Sequence, residues 1–518
     1  MKKHIKNLFL LPMLSAGFGL IMAGQIKAQT FTTLHNFTAP QAGDFYANSD
    51  GDAPMAGLIL SGNTLYGTAT TGGAYDNGTV FSLNIDGTGF TTIHSFTNDG
   101  SAGDPTGGVV LSRGTIYGAM NEGGLFPKGG GEFAVNTDGT SFTNLHIAVP
   151  GSFDFQGFYC NAGGAGPVGL VPSANALYGT TITGGSAGYG TVFTVNMDGT
   201  GYTNLHTFTL GALNASYLTT NSDGLLPQAA LVLSGNTLYG TTELGGSKGE
   251  GTIFAINTDG TGFKTLYTFT NGIDGSAPYD PLIVAGNTLY GTTSAGGGFG
   301  WGTVFAVSND GTGFATLHSF TALPGPYSGN YGGTNGDGAA PYAGVILSGN
   351  TLYGTTHLGG RSGFGTIFAV NTDGTGFTNL YSFTELHAFS GGSSSPSTNS
   401  DGANPYAGLI LSGNTLYGTA YDGGASGYGT VFSLALPAPP QPQIILSGGN
   451  INLTWPTNAV LFAQPPAPGA TFTLEVCTNL ANLVWIPLQT LTATNGVLNF
   501  SEPWQLGGTG RFYRISAQ

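Results

Sequence analysis

Positive charge is nearly missing from this chain. Among 518 residues, Lys and Arg number 11 against 26 Asp and Glu, and charged residues together make up 7%. That shortage excludes nucleic acid as a partner, because affinity for it comes largely from Lys and Arg neutralising phosphates. Cysteine is scarcer still: Cys160 and Cys477 fall in different segments, so no structural disulfide is expected even in an oxidising compartment. Beyond the N-terminus no stretch is long and apolar enough to span a membrane as a helix. Neither an LPxTG-type sorting motif nor a terminal apolar helix with basic residues after it is seen, which leaves any mode of attachment open.

The N-terminus itself reads Met-Lys-Lys-His-Ile-Lys, then an apolar run from Leu8 to Ala23, then Ile26-Lys27-Ala28-Gln29. This is the layout of a secretory signal at 1–28, cleaved after Ala28. Its removal takes away four lysines and no acids, moving the formal charge from −15 to −19. A surface dominated by Thr, Ser, Asn and Gly suits an exported protein, whether extracellular, at the cell surface or periplasmic.

What the chain has in abundance is repetition. Seven Leu-Tyr-Gly triplets or close variants centre on Tyr66, Tyr117, Tyr178, Tyr239, Tyr290, Tyr353 and Tyr417. Around each lies a core of about forty residues, followed by an insertion of variable length. In the first copy, Gly57 to Phe96, four apolar, β-branched or aromatic runs are separated by Gly, Asn and Asp. They predict strands a (Leu58–Leu60), b (Thr64–Thr68), c (Thr79–Leu83) and d (Phe90–Phe96). Gly62-Asn63 sits where a two-residue hairpin needs positive φ, and Asp86-Gly87 marks the c-to-d reversal. Each repeat is then a four-stranded antiparallel meander, which must stack on its neighbours to bury both faces. Phe31–Phe37 is a d strand with no a, b or c before it, while the last copy runs through a, b and c and lacks d. The expected fold is therefore all-β: a seven-bladed β-propeller of four-stranded blades over 29–436, closed by its N-terminal strand.

After Leu436 comes the Pro-rich linker 437–443. The segments Ile451–Trp455, Phe472–Val476, Val497–Phe500 and Phe512–Ile515 then alternate like strands, with Trp455 and Trp485 as core anchors. They predict a small β-sandwich at 444–518.

LILSGNTLYGTATTGG, GTVFSLNIDGTGF and TTIHSF resemble the GloVer (Gloeo_Verruco) tandem repeat of exported bacterial proteins, over roughly residues 30–436. The resemblance implies a propeller-like surface protein in a family with differing C-terminal anchoring or sorting modules. The final module is similar to fibronectin-III-like C-terminal domains of such proteins.

In a meander blade the long b–c and d–a connections share one face of the ring, and variable loops on a rigid scaffold are where binding resides. The third residue after each Leu-Tyr-Gly varies inside a constant frame: Thr70, Asn121, Ile182, Glu243, Ser294, His357 and Tyr421. These are candidate ligand-reading positions, set against free drift of an exposed site. Tyr189, Trp301, Phe364 and Tyr428 precede a Gly-Thr and are candidates for stacking on sugar rings, with packing between blades as the simpler reading. The recurrent Asp-Gly-x-x-Pro carries Asp50, Asp223, Asp274, Asp337 and Asp401. Clustered carboxylates are the chemistry of Ca²⁺, but one per blade supplies few oxygens and Asx-turns account for the motif, so no cofactor is expected. His35, His94, His146, His206 and His318, replaced by Tyr267 and Tyr381 in two copies, read as packing or hydrogen-bonding residues of strand d. The Gly-x-Ser-x-Gly matches at 184–188 and 245–249 lie in hairpin loops, not in the strand-to-helix elbow that chemistry needs.

An enzyme would use polar residues that break the repeat, namely Glu122, Lys128, Glu132, Glu243, Glu250, His357 and Arg361. Paired carboxylates about 5–10 Å apart would suit glycoside hydrolysis. The leading expectation is a binding or adhesion module for polysaccharide or a cell-surface protein. A propeller glycoside hydrolase or polysaccharide lyase and a purely structural envelope protein are the alternatives.

Overall fold

A computed structural model of the chain describes residues 29–437 except 41–46, 98–102, 122–128, 149–150, 154–158, 325–332 and 388–395, together with the strands of the C-terminal region. The signal-peptide reading lies outside the described residues, as do Glu122, Lys128, Trp485 and the side chains of Cys160, Trp455 and Cys477. No helix occurs among the described residues.

In the first blade, strands a (Ile59–Ser61), b (Thr64–Ala69), c (Thr79–Asn84) and d (Thr91–Ser95) pair antiparallel in chain order. The order recurs to give a seven-bladed β-propeller of four-stranded blades. Blade 3 departs from it: its first strand runs Tyr159–Ser173 with register shifts, and a two-residue strand, Ser152–Phe153, adds to its edge. In blade 7 the sheet holds Ile410–Ser412, Thr415–Ala420, Thr430–Ala435 and, as its outer strand, Thr30–Asn36. Phe37 N donates to Gly429 O (3.2 Å) and Ala425 N to Asn36 Oδ1 (2.8 Å).

The a–b turns differ in detail from expectation. In the first, Gly62 takes φ 60° while Asn63 does not take positive φ, the Gly-first pattern of a type II′ turn. Blade 2 places both Arg113 (52°) and Gly114 (83°) there, as in type I′. Strand d begins one residue later than its apolar run, and Phe90, just before it, stacks on His35 of the neighbouring blade.

The glycine of Leu-Tyr-Gly exists for space. A Cβ on Gly291 would lie 2.7 Å from Phe305 Cζ and 2.8 Å from Leu282 Cδ2, and those side chains are fully or almost fully buried. Gly291→Ala should lower stability by about 1–3 kcal/mol through overpacking, despite the backbone entropy it saves. Chemical denaturation checks this, and a stabilised variant would refute it.

One aromatic stack repeats at every blade junction. His35 lies on Phe90 (3.8 Å between centroids), His94 on Phe142 (3.8), His146 on Tyr202 (3.7) and His206 on Phe263 (3.7). Tyr267 on Phe314 (4.1), His318 on Phe377 (3.6) and Tyr381 on Phe31 (4.2) continue the series. Each joins strand d of one blade to the c–d segment of the next, and Phe31 takes the place that Phe90 holds in blade 1.

The strand d His or Tyr and the Asp-Gly-x-x-Pro acid are parts of one device. Asp223 accepts from His206 Nε2 (3.0 Å), Thr209 N (3.0 Å) and Thr209 Oγ1. Asp50 and Asp337 repeat the arrangement, while at Asp274 and Asp401 the hydroxyls of Tyr267 (3.1 Å) and Tyr381 (2.7 Å) donate instead. Each carboxylate thereby pins the crossover into the next blade. Blade 3 has Gly163-Gly164 in place of the acid, and there Glu132, from a strand c position occupied elsewhere by Val or Ile, meets His146 Nδ1 at 3.2 Å. Burial raises the Glu132 pKa, and the bond and charge of His146 offset part of that. Glu132 is 1% exposed, which removes it from the catalytic set.

The ring spans Phe31–Ala435, and Leu436–Gln518 belong to a second unit. That unit contains two three-stranded antiparallel sheets. Asn450–Pro456 is central in one, between Gln443–Ser447 and Val497–Pro503; Thr471–Cys477 is central in the other, between Ile486–Thr492 and Phe512–Ala517.

Candidate functional site

The proline of Asp-Gly-x-x-Pro leads into strand a, the innermost strand, so the residue after it arrives at the ring axis. Those seven residues, Met55, Thr106, Val168, Gln228, Tyr279, Tyr342 and Tyr406, all line one axial cavity of about 600 Å³, within the range of small-molecule pockets. Small residues follow them because the seven inner strands converge: a Cβ on Gly169 would lie 2.5 Å from Ala230 Cβ.

The cavity wall is two-sided in character. Over blades 1–3 it is mostly apolar, with Met55, Ile59, Val110, Val168 and Ile182. Across blades 4–7 it is aromatic and polar. Gln228 Nε2 donates to the Glu243 carboxylate and lies 3.0 Å from Tyr279 Oη. Tyr279 meets Tyr342 edge-on at 5.2 Å, and Tyr342 lies 5.3 Å from both His357 and Tyr406. His357 lies 4.2 Å from Tyr406, which touches Tyr421 at 5.3 Å.

The variable positions after strand b therefore divide. Asn121 and Ile182 line the cavity. Glu243, His357 and Tyr421 stand behind its wall and touch the residues that line it. Thr70 and Ser294 are buried, with Ser294 Oγ donating to Ala277 O (3.0 Å). The four loop aromatics belong to blade junctions instead: Tyr189 and Phe364 are buried, and Trp301 and Tyr428 pack partly buried against hydrophobic clusters. Their carbonyls accept from the next crossover, at Leu226 N (3.0 Å), Ala340 N (2.9 Å), Asn404 N (2.9 Å) and Ala53 N (3.2 Å). Burial denies Tyr189 and Phe364 a face for a sugar ring.

Of the described residues in the catalytic set, Glu243 and His357 stand at the axial wall and the other three lie elsewhere. Glu132 is a buried partner of His146, Glu250 accepts from Asn271 Nδ2 (3.3 Å), and Arg361 is exposed. Among the described residues no group of three or more His, Cys, Asp or Glu is gathered for a metal ion.

Three ionisable groups at the axis are displaced by burial. The His357 pKa is pushed down to about 4, so the ring is neutral, and its Nδ1 meets no hydrogen-bonding partner. Burial raises Glu243 against the bonds from Gln228 and Tyr279. Asp280, deep in the ring yet open to the cavity, is pushed up to about 7 by burial, offset in part by a hydrogen bond from Gly344 N.

Asp280 and the three tyrosines lie outside the segment around Leu-Tyr-Gly, in the crossover that leads into strand a. The signal was present: Pro-Tyr recurs at 278–279, 341–342 and 405–406, and Asp280 stands where the other copies have small residues.

A repeated blade with one signature for its turns, its glycine and its crossover acid is a family trait, and the profile of the Gloeobacter/Verrucomicrobia repeat matches residues 14–217 and 210–334. The chain belongs to that repeat family. No curated protein matches this repeat chain. Solved structures with similar architecture include an oligogalacturonate lyase in complex with manganese, at 12% identity and TM-score 0.44, over 75% of this chain and 90% of that one. A putative 6-phosphogluconolactonase from Bacteroides uniformis matches at 16% identity and TM-score 0.41, over 72% and 95%. A chain of a nidogen/laminin complex matches at 16% identity and TM-score 0.34, over 52% and 81%. At these scores the likenesses assign no activity to the repeat.

Proposed function

We propose that the chain is an exported binding module that captures a saccharide at the axial mouth on its b–c and d–a face. The crescent of Tyr279, Tyr342 and Tyr406 around one cavity carries this reading. Aromatic faces suit the apolar C–H faces of sugar rings, and Gln228 beside Glu243 offers both donors and acceptors to hydroxyl groups. The leader pattern and the weakly charged surface support export. The strand from Thr30 closes the ring on this reading, and the two C-terminal sheets form a fibronectin-III-like sandwich.

Residues 29–518 tested on a panel of polysaccharides should be retained without releasing product. The double variant Tyr342→Ala, Tyr406→Ala should lose about tenfold in affinity per ring. Released oligosaccharide would make the protein an enzyme, and failure to bind any glycan would reject the reading.

A further inference from the structure

We propose that the axial mouth selects saccharides bearing a protonated primary amine, with Asp280 seating the ammonium group between the tyrosine rings. The inference rests on the saccharide reading above and names the class of sugar. Asp280 is a break in the repeat at a costly place. In five other blades its position holds Ala56, Gly107, Ala229, Ala343 and Ala407, and each backbone carbonyl there accepts a threonine hydroxyl from the preceding blade. The bonds run from Thr419, Thr68, Thr180, Thr292 and Thr355, at 3.3, 3.5, 2.8, 2.9 and 3.1 Å respectively. Thr241, the donor facing Asp280, is buried with no hydrogen-bond partner for its hydroxyl. The blade 4–5 junction therefore lacks a bond that five other junctions use, at the place where the Asp280 carboxylate lines the axial cavity. A buried polar group left unpaired costs about 1–3 kcal/mol, so structural demands alone would favour alanine.

Among the described residues the carboxylate also lacks a counter-charge. The four basic residues whose side chains are described, Arg113, Lys248, Lys264 and Arg361, are all exposed. His357 is neutral. The bond from Gly344 N is the protein's contribution to Asp280, and a buried anion wants a cation as well. An ammonium group supplies three donors and the opposite charge, and it is attracted to the faces of nearby tyrosines. A sugar is favoured over a peptide lysine as its carrier, because the crescent and the Gln228–Glu243 pair extend the site well past one ammonium group.

Calorimetric titration of residues 29–518 with a β-1,4-glucosamine tetramer and its N-acetylated counterpart, repeated from about pH 6 to 7 so that the amine is charged in part of the series, separates the outcomes. The free amine should bind about tenfold more tightly than the N-acetylated form. Asp280→Ala, which installs the residue of four other blades, should melt no lower than wild type and bring that ratio to about one. Equal affinity of the two sugars in the wild type would overturn the inference while leaving saccharide binding intact. Tri-lysine binding as tightly as the glucosamine tetramer would overturn it in favour of a peptide ligand. Binding of neither sugar would reject the inference together with the reading beneath it.

Discussion

Deleting residues 29–38 should abolish the cooperative melting of the ring or lower its midpoint by tens of degrees. Phe37 is fully buried beside Phe81, and Phe31 stacks on Tyr381 at 4.2 Å and on Phe432 at 5.3 Å. With Leu34, their burial contributes on the order of 5 kcal/mol, comparable with the about 5–15 kcal/mol that holds an entire domain folded. Two of the seven aromatic junction stacks, those of His35 and Phe31, would go with the strand. So would the cover over strand c of blade 7, leaving an unpaired edge open to association. Thermal unfolding of residues 39–518 against 29–518 tests this, and coincident curves would mean the ring does not depend on the strand.

Asp223→Ala should cost about 3–5 kcal/mol, more than a typical surface substitution by an order of magnitude. The side chain is almost fully buried, and its loss would strand His206 Nε2, Thr209 N and Thr209 Oγ1 at once. Burial by itself would raise the pKa of Asp223, but the bonds from His206 and Thr209 outweigh it and hold the carboxyl below its ordinary value. Asp337 is held down in the same way by His318 and Thr321. A depressed carboxyl contributes stability that is complete above its unfolded pKa of about 4 and is lost as pH falls through the lower folded value. The wild type should therefore lose stability below about pH 4, and Asp223→Ala should show a shallower loss there. An unchanged slope in denaturation midpoints across that window would assign the acid sensitivity to other groups.

The blades were legible because their determinants are local. Alternation of apolar residues, Gly62 at a tight turn, Asp86-Gly87 at the next and the glycine of Leu-Tyr-Gly each act within a few residues, and seven copies average out accidents in any one. The strand d histidines were likewise readable as structural. Their partners were not, because His206 and Asp223 are 17 residues apart across a crossover whose path only the packed ring defines. The loop aromatics illustrate the converse: Tyr189 and Trp301 sit in polar, Gly-rich loops, yet the neighbouring blade covers them.

The axial site was the least legible part. Glu243, His357 and Tyr421 vary within a fixed frame that the repeat exposes, whereas Tyr279, Asp280, Tyr342 and Tyr406 follow the crossover proline, outside that frame. Period and composition alone determined the all-β class, the repeat and the number of blades, because hydrophobic alternation and turn chemistry are short-range. Which residue of each blade reaches the axis, and that Asp280 stands there without a counter-charge among the described residues, was decided by the tertiary structure, because closing seven meanders into a ring brings together inner strands that lie fifty or more residues apart along the chain.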